Sequence, residues 1–241
     1  MQESRAPRSE IAILAFACIL PTLVTLTYFV MAQASESSVQ QAIFASTKLV
    51  QFGLPVVWVG LLCRERLRWP RPTWSGLALG LVFGLVVAGA LWLLYQGLRG
   101  TALLDDALAP IRAKITDLAI DSAWRFAAVG VFYSLVHSLL EEYYWRWFVF
   151  GRLRHVVALL PAIAISAVAF SAHHVIVLWH YFSHSPIVAI LLSACIAVGG
   201  AVWAWLYHRS ESIYGPWLSH LCVDAAIFGV GYHLAKPLFS S

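Results

Sequence analysis

The sequence predicts an all-α fold, a polytopic transmembrane helix bundle of about seven spans (six to eight), and three observations predict it. Of 241 residues, 61% are hydrophobic and only 12% charged, about half the charged share of an ordinary soluble domain. The apolar residues fall into runs of the length that crosses a bilayer, about 20 residues. Between those runs little chain remains for a soluble domain.

The first run, "IAILAFACILPTLVTLTYFVMA" at 11–32, follows Arg5 and Arg8. It is too long for the apolar stretch of a signal peptide, contains Pro21 and leads into further apolar segments, so it is expected to be a retained helix. The second run lies within 42–63 and the third is "WSGLALGLVFGLVVAGALWLLYQGL" at 74–98. At 99–122 charged and apolar residues mix, and Pro110, Ile111, Ile115, Leu118 and Ala119 have helical spacing, which predicts a short interfacial helix. The fourth span starts near Trp124 and reaches about Gly151; the fifth covers 156–179, the sixth 187–207 and the seventh about 212–235. Without repeats or linkers the chain reads as one integral membrane domain, in which residues 1–122 precede a core at 123–241.

Lys and Arg favour the cytoplasmic side of a membrane. The basic loop "CRERLRWPRP" at 63–72 (including Arg64, Arg66, Arg68 and Arg71), with Arg5, Arg8, Arg146, Arg152, Arg154 and Arg209, favours a cytoplasmic N-terminus. That orientation leaves Lys48, Arg99, Arg112, Lys114, Arg125 and Lys236 outside. The expected location is a bacterial inner (plasma) membrane. The net charge of +4 calls for no nucleic acid, because a basic rim against anionic lipid headgroups of the bilayer accounts for it. Cys18, Cys63, Cys195 and Cys222 show no pairing pattern and are expected to be buried free thiols. Gly199 and Gly200 with Ala197 and Ala201 predict close helix packing in the sixth span. Trp69, Trp74, Trp179 and Tyr207 read as interfacial belt residues, and His155, His180, His184 and His208 sit at helix ends without a role.

An ionisable side chain inside a span is a functional hypothesis by default. The fourth span carries Glu141, Glu142 and Arg146, the fifth His173 and His174, the seventh His220 and Asp224. Glu142 and Arg146 are four residues apart on a helix and pair at the lowest local cost. Glu141 points about 100 degrees away, with His137 four residues earlier as its one partner on that helix. A carboxyl so placed suits general acid or base chemistry. His137 and Glu141 also have metal-ligand spacing, though support of Glu141 is the favoured role for His137. His173 reads as a bystander. Helical rise counted from the span ends sets His174 deeper than the other groups, which calls for tilt or a later helix start.

"EEYYWR" at 141–146, "FSAHH" at 170–174 and "HLCVD" at 220–224, in this order on separate spans, resemble the EExxxR, FxxxH and HxxxN/D motifs of the CPBP family. That family contains the CAAX prenyl endopeptidases of the Rce1 type and the bacteriocin-processing relatives also called Abi proteins. The resemblance covers roughly 123–235 and implies a protease whose active site lies between the last four helices. It implies that Glu141 and His174 activate water, that His220 and Asp224 support the oxyanion, that Glu142 and Arg146 form a structural pair, and that Phe170 packs beside them. No cofactor is certain from it; a divalent metal such as zinc, if present, falls to Glu141, His174 and His220. The implied partner is a membrane-associated protein or peptide substrate.

Two departures carry weight. Asp224 stands where the prenyl proteases have Asn, and an ionised Asp cannot donate to an oxyanion; it has to be protonated, orient His220 or bind a metal. Trp147 stands where a small residue is usual, which changes the substrate groove. The alternative reading is a non-catalytic CPBP-like membrane protein for bacteriocin immunity or partner binding. Intact Glu141, His174 and His220 speak against it, and Asp224 leaves it open. A proton or ion carrier is the third reading, weakened by the lack of a repeated half.

Overall fold

The computed structural model describes residues 8–31, 37–67 and 70–239; Arg5, Arg68 and Trp69 lie outside them. Seven helices are long and apolar enough to cross a membrane: α1 (Arg8–Val30), α2 (Ser38–Leu62), α3 (Trp74–Leu98), α5 (Ala123–Leu153), α6 (Leu159–Tyr181), α7 (Pro186–Ser210) and α8 (Tyr214–Phe239). Between α3 and α5 lies α4 (Ala102–Asp117), the short helix expected there. No strand occurs among the described residues, and the protein is an all-helical, multi-pass integral membrane protein.

Local sequence explains several ends and irregularities. Thr73 caps α3 by accepting from the Gly76 amide, one of the donors a helix start leaves unpaired. Pro55 has no N–H for the ladder, and α2 continues beyond it as wider π-helical turns over Val56–Leu62. In α5, π-helical turns at Phe132–His137 and Tyr143–Phe150 flank a five-residue α-helical segment, Ser138–Glu142. Single π turns inside helices are frequently found at functional sites; here they bracket both glutamates.

α5 runs through the centre of the bundle. Tyr144, Trp145, Phe148, Val149 and Phe150 are all at most 1% exposed, although they belong to a membrane helix whose neighbours face lipid. They form one core with Leu14 and Ala17 of α1, Val59 of α2, Phe170 of α6 and Trp203, Leu206 and Tyr207 of α7. The Tyr144 hydroxyl donates to the Ala17 carbonyl at 2.7 Å, which ties α5 to α1 without an unpaired polar group in the apolar interior.

At the end of the bundle that holds the basic loop, Arg152 of α5 joins three elements. Its Nε and Nη2 donate to Glu10 of α1 at 2.6 and 3.0 Å, and Nη1 donates to Glu65 at 2.7 Å. Arg154 pairs with Glu211 through two hydrogen bonds of 2.5 and 2.8 Å. Glu211 closes α7 in a left-handed conformation, φ 48°.

The closest helix contact is between α3 and α8, through glycines that the composition of the sixth span did not point to. A Cβ on Gly84 would stand 2.9 Å from both the Ser219 backbone and Cys222 Cβ, and one on Gly80 would overlap the Gly215 carbonyl. Gly76, Gly80 and Gly84 form one stripe at four-residue spacing, the pattern that lets membrane helices touch backbone to backbone. Gly200 is also pressed, its missing Cβ only 3.1 Å from the Phe170 ring, whereas Gly199 faces open space. Gly80→Leu is therefore expected to cost about 1–3 kcal/mol by overpacking, read as a lower thermal midpoint in detergent; Gly199→Ala, whose Cβ meets open space, should leave the midpoint no lower and raise it slightly, alanine being the better helix former.

Three expectations are corrected. Tyr207 is not a belt residue but 6% exposed, with Phe150 edge-on at 6.0 Å. The four cysteines are free, but none is fully buried and Cys195 is exposed, on a surface that lipid covers. Lys48 lies ten residues inside α2 rather than in an outer loop, so it carries no weight in assigning orientation.

Candidate active site

The groups singled out by the sequence converge between α5, α6 and α8. Part of the reason is that α6 begins at Leu159, three residues later than expected, which lowers the depth of His174 by about 4.5 Å at helical rise.

The adjacent glutamates have different surroundings. Glu142 is fully buried. Its Oε2 lies 3.1 Å from Arg146 Nε, and its Oε1 accepts a hydrogen bond from His220 Nδ1 at 2.8 Å. The pair on one helix is the expected one; the second bond, which joins α5 to α8, was not expected. Arg146 is held further by the Phe170 and Trp203 rings, 4.6 and 5.0 Å from its guanidinium carbon, and by the Gly200 carbonyl, to which Nη2 donates at 3.4 Å. Ring contacts of this kind contribute about 0.5–2 kcal/mol each, less than the several kcal/mol of removing an ion from water. Glu142 has to supply the rest.

Glu141, 3% exposed, meets imidazoles at longer range. Its oxygens lie 3.9 Å from His137 Nε2, 3.8 Å from His173 Nε2 and 3.8 Å from His220 Nε2. At these separations the carboxylate is surrounded without being directly hydrogen-bonded to any of the three rings, and a small polar molecule can bridge them.

His220 faces both acids. With Nδ1–H bonded to Glu142, its Nε2 is turned toward Glu141 and toward Asp224 Oδ1, 3.7 Å away. Its ring stacks on Trp203 at 4.3 Å and 17°, and Trp203 is fixed in turn by an Nε1–H bond to Ser219 Oγ at 2.8 Å. One hydrogen bond to Glu142 and a stack on a ring that is itself hydrogen-bonded therefore define the orientation of one imidazole.

The fifth span contributes both histidines. His174 donates from Nδ1 to the Phe170 carbonyl on its own helix at 3.0 Å, which leaves Nε2 as the bare, proton-accepting nitrogen. His173, read from sequence as a bystander, is the one whose Nε2 reaches Glu141; it stacks on Trp145 at an interplanar angle of 6° and lies 4.0 Å from the His174 ring. A bend of 100 degrees between neighbours on a helix does not remove either residue from a chamber that α6 faces broadside. Phe170 packs beside the site as expected, in ring contact with Trp145, His173, His174 and His220.

Two residues of α2 were not singled out from the sequence as neighbours of the site. Lys48 Nζ sits 5.5 Å from the Phe44 ring and 5.4 Å from the Phe52 ring. Gln51 is fully buried, and neither of its amide atoms has a hydrogen-bond partner among the described residues. A lysine inside an apolar run was the available signal.

Among the described residues no group of three His, Cys, Asp or Glu side chains is arranged to hold a metal ion.

Two openings mark the surface of the bundle, neither lined by Glu141, His174, His220 or Asp224. One, of about 750 Å³, is at the basic end and is lined by Trp147, Phe148, Arg152, Arg154, His155 and Tyr207 among others. Trp147, stacked on Tyr143 at 5.3 Å, forms part of its wall. The other is an apolar groove of about 760 Å³ between α5 and α8, lined by Ser134, Leu135, Leu221, Ala225 and Phe228. Ser134 is one helical turn from His137, and Ala225 adjoins Asp224 in sequence.

The model of one known family, type II CAAX prenyl endopeptidase Rce1-like, matches residues 123–226. The match contains every residue of the three motifs and stops short of α1, α2 and α3. No curated protein matches the chain, and no solved structure does.

Proposed function

From a core at residues 123–226 that matches the Rce1-like type II CAAX prenyl endopeptidases, we propose that this protein is an intramembrane endopeptidase that hydrolyses a peptide bond in a membrane-associated protein or peptide. The observation that carries the reading is the unequal treatment of the two glutamates. Glu142 is consumed by Arg146 and His220, while Glu141 is ringed by imidazoles at 3.8–3.9 Å and bonded directly to none of them.

In the proposed reaction a water molecule lies between Glu141 and the bare Nε2 of His174. Glu141 takes its proton as the water oxygen bonds to the scissile carbonyl carbon, and the carbonyl electron pair moves onto oxygen. His220, carrying a proton on Nε2, donates to that oxyanion. Asp224 acts by orienting Nε2, a role open to an ionised carboxylate. Collapse of the intermediate breaks the C–N bond, and Glu141 returns the proton to the leaving nitrogen. His137 and His173 hold Glu141 in position. Substrate enters from the bilayer along the α5–α8 groove or from the basic end, the side that the excess of Lys and Arg favours as cytoplasmic.

The test is cleavage of a library of membrane-tethered peptides by purified protein in lipid nanodiscs, comparing wild type with His174→Ala and Glu141→Gln. Loss in both variants supports the assignment, and metal analysis of active wild type decides whether an ion takes part. Undiminished cleavage by Glu141→Gln overturns the mechanism. An inert wild type across a broad library moves the protein to the non-catalytic, partner-binding class.

A further inference from the structure

We propose that the opening at the basic end of the bundle is a binding site for a phosphate group, that of an anionic phospholipid in the adjoining leaflet. None of Glu141, His174, His220 or Asp224 lines this opening, so the inference stands apart from the endopeptidase reading.

The cavity, about 750 Å³, lies where α2, α5 and α7 end, and its wall carries Arg66, Arg152, Arg154 and His155 beside two carboxylates, Glu65 and Glu211. These charges are unevenly used. Arg152 takes both Glu65 and Glu10, two carboxylates to one guanidinium. Arg154 takes Glu211 through its two terminal nitrogens, and its Nε–H is buried without an acceptor, a donor left open in the cavity wall. No acid remains for Arg66, which is exposed and makes no hydrogen bond or ion pair among the described residues. Arg8, Arg64, Arg71 and Arg209 stand at the same end, also without an ion pair among the described residues. The three helix ends bring unpaired carbonyls equivalent to about half a negative charge each, which is less than this surplus of unpaired arginines. The field over the opening therefore favours an anion.

The rest of the wall says which kind of anion. Val59, Trp147, Phe148 and Tyr207 line the same cavity, so guanidinium groups and aromatic rings share one space. That mixture suits a ligand that is itself half polar, a phosphate carried on a glycerol backbone. The last turns of spanning helices lie at the headgroup level of a bilayer, where Trp and Tyr are enriched, and basic pockets between such helices bind anionic headgroups. A guanidinium presents paired N–H donors that match two phosphate oxygens, and the one on Arg66 is uncommitted.

The experiment uses the full-length protein in nanodiscs of phosphatidylcholine to which phosphatidylglycerol is added. Lipids retained by the protein are read by native mass spectrometry, and the unfolding midpoint is read alongside. The expected result is selective retention of phosphatidylglycerol and a midpoint that rises with its share, as for any ligand of the folded state. Arg66→Gln, which breaks no ion pair, should weaken retention about fivefold, the contribution of one arginine near a membrane surface. Arg71→Gln removes the same charge from the same end but outside the cavity wall, and should leave retention nearly unchanged. Equal weakening by the two variants overturns the site, because a diffuse basic rim then holds the lipid. Equal retention of both lipids, with a midpoint indifferent to inorganic phosphate, overturns it too. A midpoint raised by inorganic phosphate in phosphatidylcholine alone, with the rise lost in Arg66→Gln and kept in Arg71→Gln, upholds the site and makes its ligand a soluble phosphate.

Discussion

Glu141→Gln is expected to slow cleavage by about 10²–10⁴-fold, the range for a general base, with no loss of folded protein. Glutamine keeps the size and the polar end of the side chain but accepts no proton. Stability should hold because Glu141 makes no short ion pair: its imidazole neighbours stand 3.8–3.9 Å away. Single-turnover cleavage and thermal unfolding measured on the same preparation separate the two quantities. An activity loss that tracked a falling midpoint would make Glu141 a structural residue.

Arg146→Ala should do the opposite and remove the fold before the chemistry. It leaves Glu142 fully buried with His220 as its remaining partner, and breaking a buried pair from one side costs about 3–5 kcal/mol. The Phe170 and Trp203 contacts of the guanidinium are lost as well. Arg146→Lys should rescue only in part, since an ammonium cannot lie flat between two rings while reaching Glu142 and the Gly200 carbonyl. The double variant Arg146→Met with Glu142→Leu removes both charges, and apolar replacement of a buried pair is often neutral. Its midpoint should recover most of the loss. Its activity should not, because His220 then lacks the acceptor that fixes Nδ1. Unfolding midpoints of the three variants, with cleavage assayed well below each, test this.

The spans were legible because membrane burial writes itself into composition: every apolar run became a helix, and the mixed segment at 99–122 became α4. The Glu142–Arg146 contact was legible because it is local, four residues along one helix. What joins helices was not. The Glu142–His220 bond depends on how α8 is rotated against α5, which no spacing within either helix records. His173 was set aside as a bystander, although two neighbouring residues can both face a wide chamber. The small-residue stripe Gly76, Gly80 and Gly84 was visible as a pattern, but its partner α8 could be found only in three dimensions. Lys48 was counted among the outside charges, although it lies within α2.

The placement of the partners along α5 bears on how the protein is made. Helices of a multi-pass protein emerge from the ribosome in order, and a charged residue at mid-membrane costs about 2.5–3.5 kcal/mol on insertion scales. α5 emerges with a counter-charge for Glu142 four residues later and an imidazole for Glu141 four residues earlier, so it brings its own compensation into the bilayer before α6 or α8 exists. His220 is encoded later, in α8. Under the peptidase reading, a partly synthesised chain already holds both acids safely in the membrane yet cannot cut its neighbours until α8 has been made and docks.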